Sequence, residues 1–309
     1  MKTKALLSLL LLSFLVPAHA QMKKVSTPYQ EITVSTPEEF LQALGSNRTI
    51  NIAANTTLNL SDVLDNEAAC KKLGIKQVKE YEDLSAYKGV LCRSVFDGNE
   101  LVIKDVKKLT IRGEYNTQIE VEPRYAYVLN LIDCSEILLE NITIGHTATG
   151  YCEGGVIGMG NSTDITIEAC DLYGCGTYGI FANQCKRLLF SGSVIRDCSY
   201  GIIVLEQCER MRFEHSDFIR NQEFYLVDVE ESTDVSFAGC RFWENEGELF
   251  SLGGPIRLDD CKVYHDLMRI GEETLVDDHH TTWDNSTGIL LEPRGCGPDN
   301  GAFVPWERY

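Results

Sequence analysis

A short pattern of apolar and small residues recurs along the middle of the chain and constrains its fold. Each copy has two apolar residues at alternate positions, a small residue three places later and another apolar residue two places after that. Alternation of this kind is the periodicity of a β-strand. A unit with only short strands cannot bury its own apolar face, whereas stacked copies can, so the repeat predicts a parallel-stranded solenoid. Successive copies are 28, 28, 23, 23, 24 and 21 residues apart, and they begin at Leu109, Ile137, Ile165, Leu188, Met211, Val235 and Ile256.

Each copy follows a further strand-like piece, such as the segments that begin at Tyr178 and Tyr200. No helical stretch recurs inside the repeat, which disfavours a leucine-rich or other α-containing solenoid. The pattern resembles the right-handed parallel β-helix of the pectin-lyase-like fold over roughly residues 95–265. The resemblance implies an all-β solenoid of about eight or nine coils, and it does not extend to the motifs of a specific enzyme family.

The start of the solenoid predicts an N-terminal capping helix over residues 36–45. Thr36 is a suitable N-cap, and Pro37 fits the first helical position. Glu38 and Glu39 suit the positive end of the helix dipole. β-Helices of exported proteins commonly open with such a helix, which covers apolar core and strand edges that would otherwise be exposed.

The first twenty residues have the pattern of a signal peptide. Lys2 and Lys4 precede a run of about 12 mostly apolar residues, and Ala18 and Ala20 fit a signal-peptidase site. The apolar run is shorter than the roughly 20 residues that a membrane-spanning helix needs, which disfavours a transmembrane anchor. We therefore expect a mature chain that begins at Gln21 and is secreted or periplasmic.

The mature chain, residues 21–309, is predicted to be a single domain because no linker is evident. The coils are expected over roughly residues 48–265. Residues 61–92 form a polar excursion from an early coil, and residues 265–309 lose the repeat and are expected to form an irregular C-terminal cap.

Export permits disulfides, and the chain contains twelve cysteines. Cys70 and Cys92 bracket the excursion and are predicted to form a disulfide. Cysteines stacked on adjacent coils should lie too far apart for a relaxed disulfide, as for Cys185 on Cys208. A second column at a turn contains Cys175, Cys198, Asn221 and Asn245, and buried thiols are expected at Cys170, Cys240 and Cys261.

The charge balance limits the partners. The chain has 28 basic and 46 acidic residues and a net charge of −18, which becomes −20 without Lys2 and Lys4. Phosphate recognition needs clustered Lys and Arg, so nucleic acid is excluded as a general partner, and an anionic membrane surface is disfavoured. No segment after the predicted signal peptide is long and apolar enough to predict a membrane-spanning helix. A polyanionic polysaccharide would be repelled unless calcium bridged it, so calcium is a possible cofactor, and no other is predicted.

The catalytic motifs of related folds are missing. The paired acids of polygalacturonases, which glycoside hydrolysis requires, are absent, and the coils offer few outward bases for lyase chemistry. The best candidate catalytic group lies around the glycine-rich insertion at residues 145–155, with His146 as base and Glu153 as acid, near Tyr178 and Asp171. The alternative is an ordinary loop whose His and Glu form hydrogen bonds.

Aromatic residues on the outside of the strands are the candidate ligand-binding group. Flat rings suit stacking on sugar faces, and the candidates are Tyr151, Tyr173, Tyr200 and Tyr225. A structural ladder of stacked rings is the alternative. No metal ligands are predicted, because the run of residues 277–280 has the character of a solvated loop and lacks partner ligands at a suitable spacing.

Two functional hypotheses follow. The favoured one is an exported protein that binds carbohydrate or another surface ligand along its solenoid face, without an identifiable catalytic set. The alternative is a polysaccharide lyase or glycoside hydrolase with an atypical site in the region of residues 146–178. The oligomeric state stays open.

Overall fold

The computed structural model describes residues 28–148, 154–174, 178–222, 225–246, 249–264 and 276–284. The helices within these residues are short, and none is long and apolar enough to span a membrane. They are α1 Pro37–Ala43, α2 Ser61–Leu64, α3 Glu67–Leu73 and the 3₁₀ turn Leu84–Ala86.

Strands form most of the described chain. In chain order they are β1 Gln30–Val34, β2 Arg48–Ile52, β3 Thr57–Asn59, β4 Lys76–Val78, β5 Gly89–Val95, β6 Gly98–Lys104, β7 Lys107–Gly113, β8 Gln118–Val121, β9 Leu129–Ile132, β10 Ser135–Glu140, β11 Thr143–His146, β12 Ile157–Gly160, β13 Thr163–Glu168, β14 Asp171–Tyr173, β15 Tyr178–Asn183, β16 Lys186–Ser191, β17 Val194–Arg196, β18 Gly201–Glu206, β19 Glu209–Glu214, β20 Asp217–Ile219, β21 Tyr225–Glu230, β22 Thr233–Ala238, β23 Arg241–Trp243, β24 Leu249–Gly253, β25 Ile256–Asp259, β26 Lys262–Tyr264, β27 Val276–His279 and β28 Thr282–Asp284.

Three sheets wrap around one core as a β-helix, which confirms the predicted fold class. The first sheet has the order β1-β2-β7-β10-β13-β16-β19-β22-β25-β27, the second β28-β26-β23-β20-β17-β14-β11-β8-β3, and the third β24-β21-β18-β15-β12-β9-β6-β5-β4. From β6 to β26 the chain visits the third, first and second sheets in turn seven times, with incomplete coils at both ends. Within the predicted C-terminal cap, β27 and β28 extend the first and second sheets by a further strand each.

The first sheet has the register that the repeat predicts. Every recurring apolar position pairs with its counterpart one coil away, from Leu109 to Ile256. The next inward column is fully buried and consists of Ile50, Ile111, Leu139, Ile167, Phe190, Phe213, Phe237 and Leu258. A slip of one residue would turn these side chains outward, so burial fixes the register. Aromatic rings also stack inside the solenoid, as Phe213 does on Phe237 at a centroid distance of 4.7 Å.

Asparagine side chains link successive coils at the turn between the second and third sheets. Asn221 Oδ1 accepts a hydrogen bond from the backbone N–H of Cys198, and Asn245 Oδ1 accepts one from the N–H of Asn221. The amide of Asn245 donates to the carbonyl of Phe218 at 2.9 Å. Both asparagines are fully buried. The predicted column is thereby confirmed for Cys198, Asn221 and Asn245, whereas Cys175 lies outside the described residues.

The N-terminal helix is confirmed with its predicted cap. The side chain of Thr36 accepts a hydrogen bond from the N–H of Glu39, and Pro37 occupies the first turn. Phe40, Leu41 and Ala43 are buried in the common core. The polar excursion follows β3 and contains α2, α3 and β4, and the chain returns to the coils through the antiparallel hairpin β5–β6.

The predicted disulfide is absent, which corrects the sequence analysis. Cys70 and Cys92 are free, buried thiols. Each donates a hydrogen bond to a backbone carbonyl at 3.4 Å, Cys70 to Val63 and Cys92 to Leu64. Cys70 thus stabilises the turn between α2 and α3 as an apolar core residue with a weak donor. Cys185 and Cys208 are stacked without a disulfide, and Cys170, Cys240 and Cys261 are buried thiols, as predicted.

The asparagine column predicts a specific loss of stability. In an Asn221→Ala variant the buried N–H of Cys198 loses its acceptor, so the free energy of unfolding should fall by about 1–3 kcal/mol. Asn51→Ala is the control, because the amide of Asn51 bonds only to an exposed Glu31 carboxylate. Urea unfolding of both variants measures the difference, and equal stabilities would contradict the role assigned to the column.

Candidate functional site

The outer face of the third sheet carries an alternating column of tyrosine and glycine. The strand registers place Tyr127, Gly155, Tyr178, Gly201 and Tyr225 one above another on five successive coils. We call this set the tyrosine–glycine column. The three tyrosines are half-buried and lie outside the core.

Each glycine lies where a neighbouring tyrosine ring meets the backbone. A Cβ atom at Gly201 would be 3.0 Å from Cε1 of Tyr178, and one at Gly155 would be 2.8 Å from Cε1 of Tyr127. The Tyr127 ring also contacts Gly158, where an added Cβ would be 2.9 Å from its Cγ. Absence of side chains on alternate coils therefore lets the rings lie against the sheet.

This register corrects the expected alignment of Tyr178 with Tyr200. Tyr178 pairs with Gly201, because Ile180 and Ile203 are the inward-facing partners that fix the two strands. Tyr200 lies one position earlier, at the turn, and its ring centroid is 6.4 Å from that of Tyr178. Tyr178 contacts Tyr200 and lies two coils from Tyr225 on the same face. The expected run of rings on adjacent coils is therefore interrupted by Gly201, and a role of these tyrosines in ligand binding stays a prediction.

Three carboxylates lie on the same face, beside the tyrosines, and sequence reasoning missed them. Glu206 and Glu230 are register partners, and Asp228 lies two residues before Glu230 on the same side of the strand. Burial first, and then the charges of Glu230 and Glu206, raise the pKa of Asp228. We call these residues the carboxylate cluster. The available signal was the recurrence of an acidic residue at the end of β18 and β21.

Burial raises the pKa of Tyr178, and the charge of Asp228 acts in the same direction. The Tyr178 phenol therefore stays protonated and can donate a hydrogen bond at neutral pH. The amide of Asn183 donates to Glu206 at 2.6 Å, which orients that carboxylate. The face thus combines flat rings, hydroxyl donors and carboxylate acceptors.

A buried ionic group borders this face at its N-terminal end. Glu100 is 1% exposed, pairs with Arg93, and accepts a hydrogen bond from the N–H of Tyr127 at 3.0 Å. Burial raises the pKa of Glu100, and the Arg93 charge opposes that effect. Because Glu100 is inaccessible, its role is to fix the backbone that carries Tyr127.

The structure buries His146 away from any open surface. The side chain is 3% exposed, and its Nε2 donates to the carbonyl of Ala126 at 3.0 Å. Nδ1 is buried without a hydrogen-bond partner among the described residues. Burial lowers the pKa of His146. The imidazole is therefore neutral, and in this conformation it cannot reach a substrate as a base.

Asp171 and Tyr173 lie on the second sheet, away from Tyr178. Arg196 donates two hydrogen bonds to the Asp171 carboxylate, at 2.9 and 2.8 Å. The Tyr173 ring stacks on the Arg196 guanidinium, with the guanidinium carbon 4.8 Å from the ring centroid. Burial raises the pKa of Asp171, which the Arg196 charge opposes. The two residues belong to an ionic group that ties adjacent coils together.

Tyr151 and Glu153 lie outside the described residues, so their place relative to the tyrosine–glycine column stays a prediction. Of the other candidates, the structure brings together Tyr178, Tyr200 and Tyr225. It separates His146, Asp171 and Tyr173 from them.

Among the described residues, one group of side chains brings its ligand atoms close enough together for a cation site. Asp259, Asp260 and His280 place one ligand atom each within 4.8 Å of one another at the C-terminal end of the described solenoid. An exposed group of this size is common without an ion, and the Asp259 carboxylate also bonds to Arg257.

His146 should make stability depend on pH in a defined window. Its folded-state pKa is lowered from 6.5, so the stability it contributes is present above pH 6.5 and is lost as the pH falls toward the folded-state pKa. At pH 5 the loss is at most about 2 kcal/mol. Urea unfolding at pH 7.5 and pH 5 should show a shallower pH dependence for His146→Gln than for wild type. His280→Gln is the control, and identical slopes for wild type and His146→Gln would contradict this role.

Asp171 should stabilise the folded protein and take no part in ligand recognition. Asp171→Ala leaves the buried Arg196 with only its bond to Asp197, so unfolding should become easier by about 3 kcal/mol. Asp164→Ala, which breaks an exposed pair with Arg187, should have a much smaller effect. Thermal unfolding compares the two variants. Loss of ligand binding by a folded Asp171→Ala protein would contradict this assignment and would indicate that Asp171 takes part in ligand binding.

Comparisons with known proteins agree with this architecture. A pectate lyase from Bacillus sp. N165, solved in complex with trigalacturonate, has a TM-score of 0.53 at 11% identity, over 91% of this chain and 88% of its own. A second pectate lyase structure also has a TM-score of 0.53 at 11% identity, over 83% of this chain and 82% of its own. An alginate lyase from Paenibacillus sp. str. FPU-7 has a TM-score of 0.48 at 13% identity, over 83% of this chain and 99% of its own. At these identities the similarity to the two pectate lyases concerns the fold alone.

No curated protein matches the sequence. Residues 127–292, more than half of the chain, match the family described as the right handed beta helix region. The chain therefore belongs to the right-handed β-helix family.

Proposed function

We propose that this protein binds a neutral polysaccharide on the outer face of the third sheet. The observation that carries the proposal is the tyrosine–glycine column beside the carboxylate cluster. Both lie on one continuous face of a rigid solenoid.

Half-buried tyrosine rings that lie against a sheet are suited to sugar stacking. The negative face of an aromatic ring attracts the slightly positive C–H groups of a pyranose ring. Tyr178 and Tyr225 are held by the strand pairing of β15 and β21, so little conformational entropy is lost when a ligand binds.

The carboxylate cluster favours a neutral ligand over a polyuronate. Ionised carboxylates only accept hydrogen bonds, and sugar hydroxyls are donors for them. A uronate chain would meet Glu206, Asp228 and Glu230 in a protein of net charge −18. Such a ligand would need calcium between the two sets of carboxylates, so we propose calcium as an accessory for uronates alone.

Glycoside hydrolysis is the second candidate, because Asp228 has two further carboxylates beside it on the same face. A hydrolase needs one carboxyl group as acid and a second one nearby, and burial raises the pKa of Asp228 in the direction that an acid requires. Glu206 and Glu230 could serve as that partner. A lyase is less well supported, because the outward positions of β15, β18 and β21 include no Arg or Lys that could act as base.

The predicted signal peptide belongs to the same proposal. A polysaccharide ligand lies outside the cell or in the periplasm, and export of the chain from Gln21 onward would bring the third sheet into contact with it.

Affinity electrophoresis through gels with embedded polysaccharide tests the proposal. The panel contains neutral glucans, mannans and xylans, together with polygalacturonate with and without calcium. Retardation by a neutral polymer should weaken about tenfold for Tyr178→Ala, since a buried stacking contact contributes about 1.5 kcal/mol. Tyr81→Ala, which removes a 92% exposed ring, is the matched control.

Equal retardation of wild type and Tyr178→Ala, or no retardation by any neutral polymer, would contradict the proposal. Release of reducing ends that is lost in Asp228→Asn, with binding retained, would establish hydrolysis in addition to binding.

A further inference from the structure

The spacing of the tyrosine–glycine column carries information about the shape of the ligand. Tyrosines occupy alternate coils, at Tyr127, Tyr178 and Tyr225, and glycines occupy the coils between them. With neighbouring strands about 4.8 Å apart, the tyrosines repeat about every 10 Å along the solenoid axis.

The direction of the rings is also regular. The Tyr127 ring contacts Gly155 on the next coil, and the Tyr178 ring contacts Gly201 on the coil that follows it. Both rings therefore lean the same way along the axis. A ligand that follows the column meets a tyrosine ring on every second coil.

A two-coil interval matches two sugars of an extended chain. In a β-1,4-linked chain of gluco- or manno-configured pyranoses, both linkage bonds are equatorial, and successive rings are turned over. Every second ring then presents the same face after about the same distance as two coils. An α-1,4-linked chain curves away from a straight column and loses this match.

We propose that the tyrosine–glycine column recognises a neutral β-1,4-linked polysaccharide that runs along the solenoid axis, with alternate sugars stacked on Tyr127, Tyr178 and Tyr225. This inference rests on the proposed function and adds the linkage and the length of the binding unit. Three tyrosines at two-sugar spacing are spanned by five sugars. Glu206, Asp228 and Glu230 accept hydroxyl hydrogen bonds at the end of the unit near Tyr225.

Calorimetry with β-1,4-linked gluco- and manno-oligosaccharides of one to seven sugars tests the inference. Affinity should rise about threefold to tenfold from one to three sugars and again from three to five, and then level off. Tyr225→Ala should remove the second rise, so that three and five sugars bind equally. Tyr225→Phe keeps the ring and should keep the rise, and Tyr81→Ala should leave the series unchanged. α-1,4-Linked gluco-oligosaccharides should show no rise with length.

The outcomes separate the two proposals. Retardation by neutral polysaccharide without a dependence on length, or an equal dependence for α-linked chains, would overturn this inference and leave the proposed function intact. If the protein bound no neutral oligosaccharide and no neutral polysaccharide, both the proposed function and this inference would be overturned. Thermal unfolding of each variant shows that it is folded, and a folded Tyr225→Ala protein with an undiminished second rise would also overturn the inference.

Discussion

Pairing of each strand with the same strand one coil away is the constraint on which the rest of the structure depends. Inward columns such as the one that contains Phe213 and Phe237 exclude water only in one register. Buried side chains at the turns, such as Asn221 and Asn245, bond to the backbone of neighbouring coils and hold the stack at its corners. A local sequence repeat thereby becomes a long-range geometric repeat.

That geometric repeat also orders the outer surface. Residues one repeat apart in sequence become neighbours on a flat sheet, so a tyrosine on every second coil becomes a periodic row. The same principle places Asp171 against Arg196 on the second sheet, where the result is an ionic tie between coils. The two outer faces therefore differ in chemistry, with structural ionic pairs on one and half-buried rings with adjacent carboxylates on the other.

The sequence predicted those parts of the fold that depend on apolar spacing and local caps. The first-sheet register, the Thr36 cap and the asparagine column follow from residue type and step length. The third sheet was harder because its strands begin with two successive inward residues, as at Ile202 and Ile203, which are both fully buried. Strict alternation of inward and outward residues fails at these strand starts. Alignment by residue type therefore paired Tyr178 with Tyr200, whereas the structure pairs Tyr178 with Gly201.

The candidate site was predicted only in part for related reasons. His146 lies two residues after the inward Ile144 on β11 and pairs with the buried Val121, so strand alternation carries its side chain inward. The interpretation of residues 145–155 as an insertion placed His146 in a loop and missed this signal. The carboxylate cluster comes from one acidic residue on β18 and two on β21, which look like ordinary surface residues until the coils are stacked. Cys70 and Cys92 suggested a bridge across the excursion, whereas Cys70 lies within α3 and both thiols are buried against the backbone at the end of α2.

Hydroxyl-radical footprinting of the tyrosines, with and without a bound polysaccharide, tests the central claim most directly, because the modification reports the exposure of each ring. The account predicts that the ligand protects Tyr178 and Tyr225 on the third sheet and leaves Tyr81 and Tyr115 unchanged. Protection confined to rings away from the third sheet, with Tyr178 and Tyr225 labelled equally in both states, would contradict it.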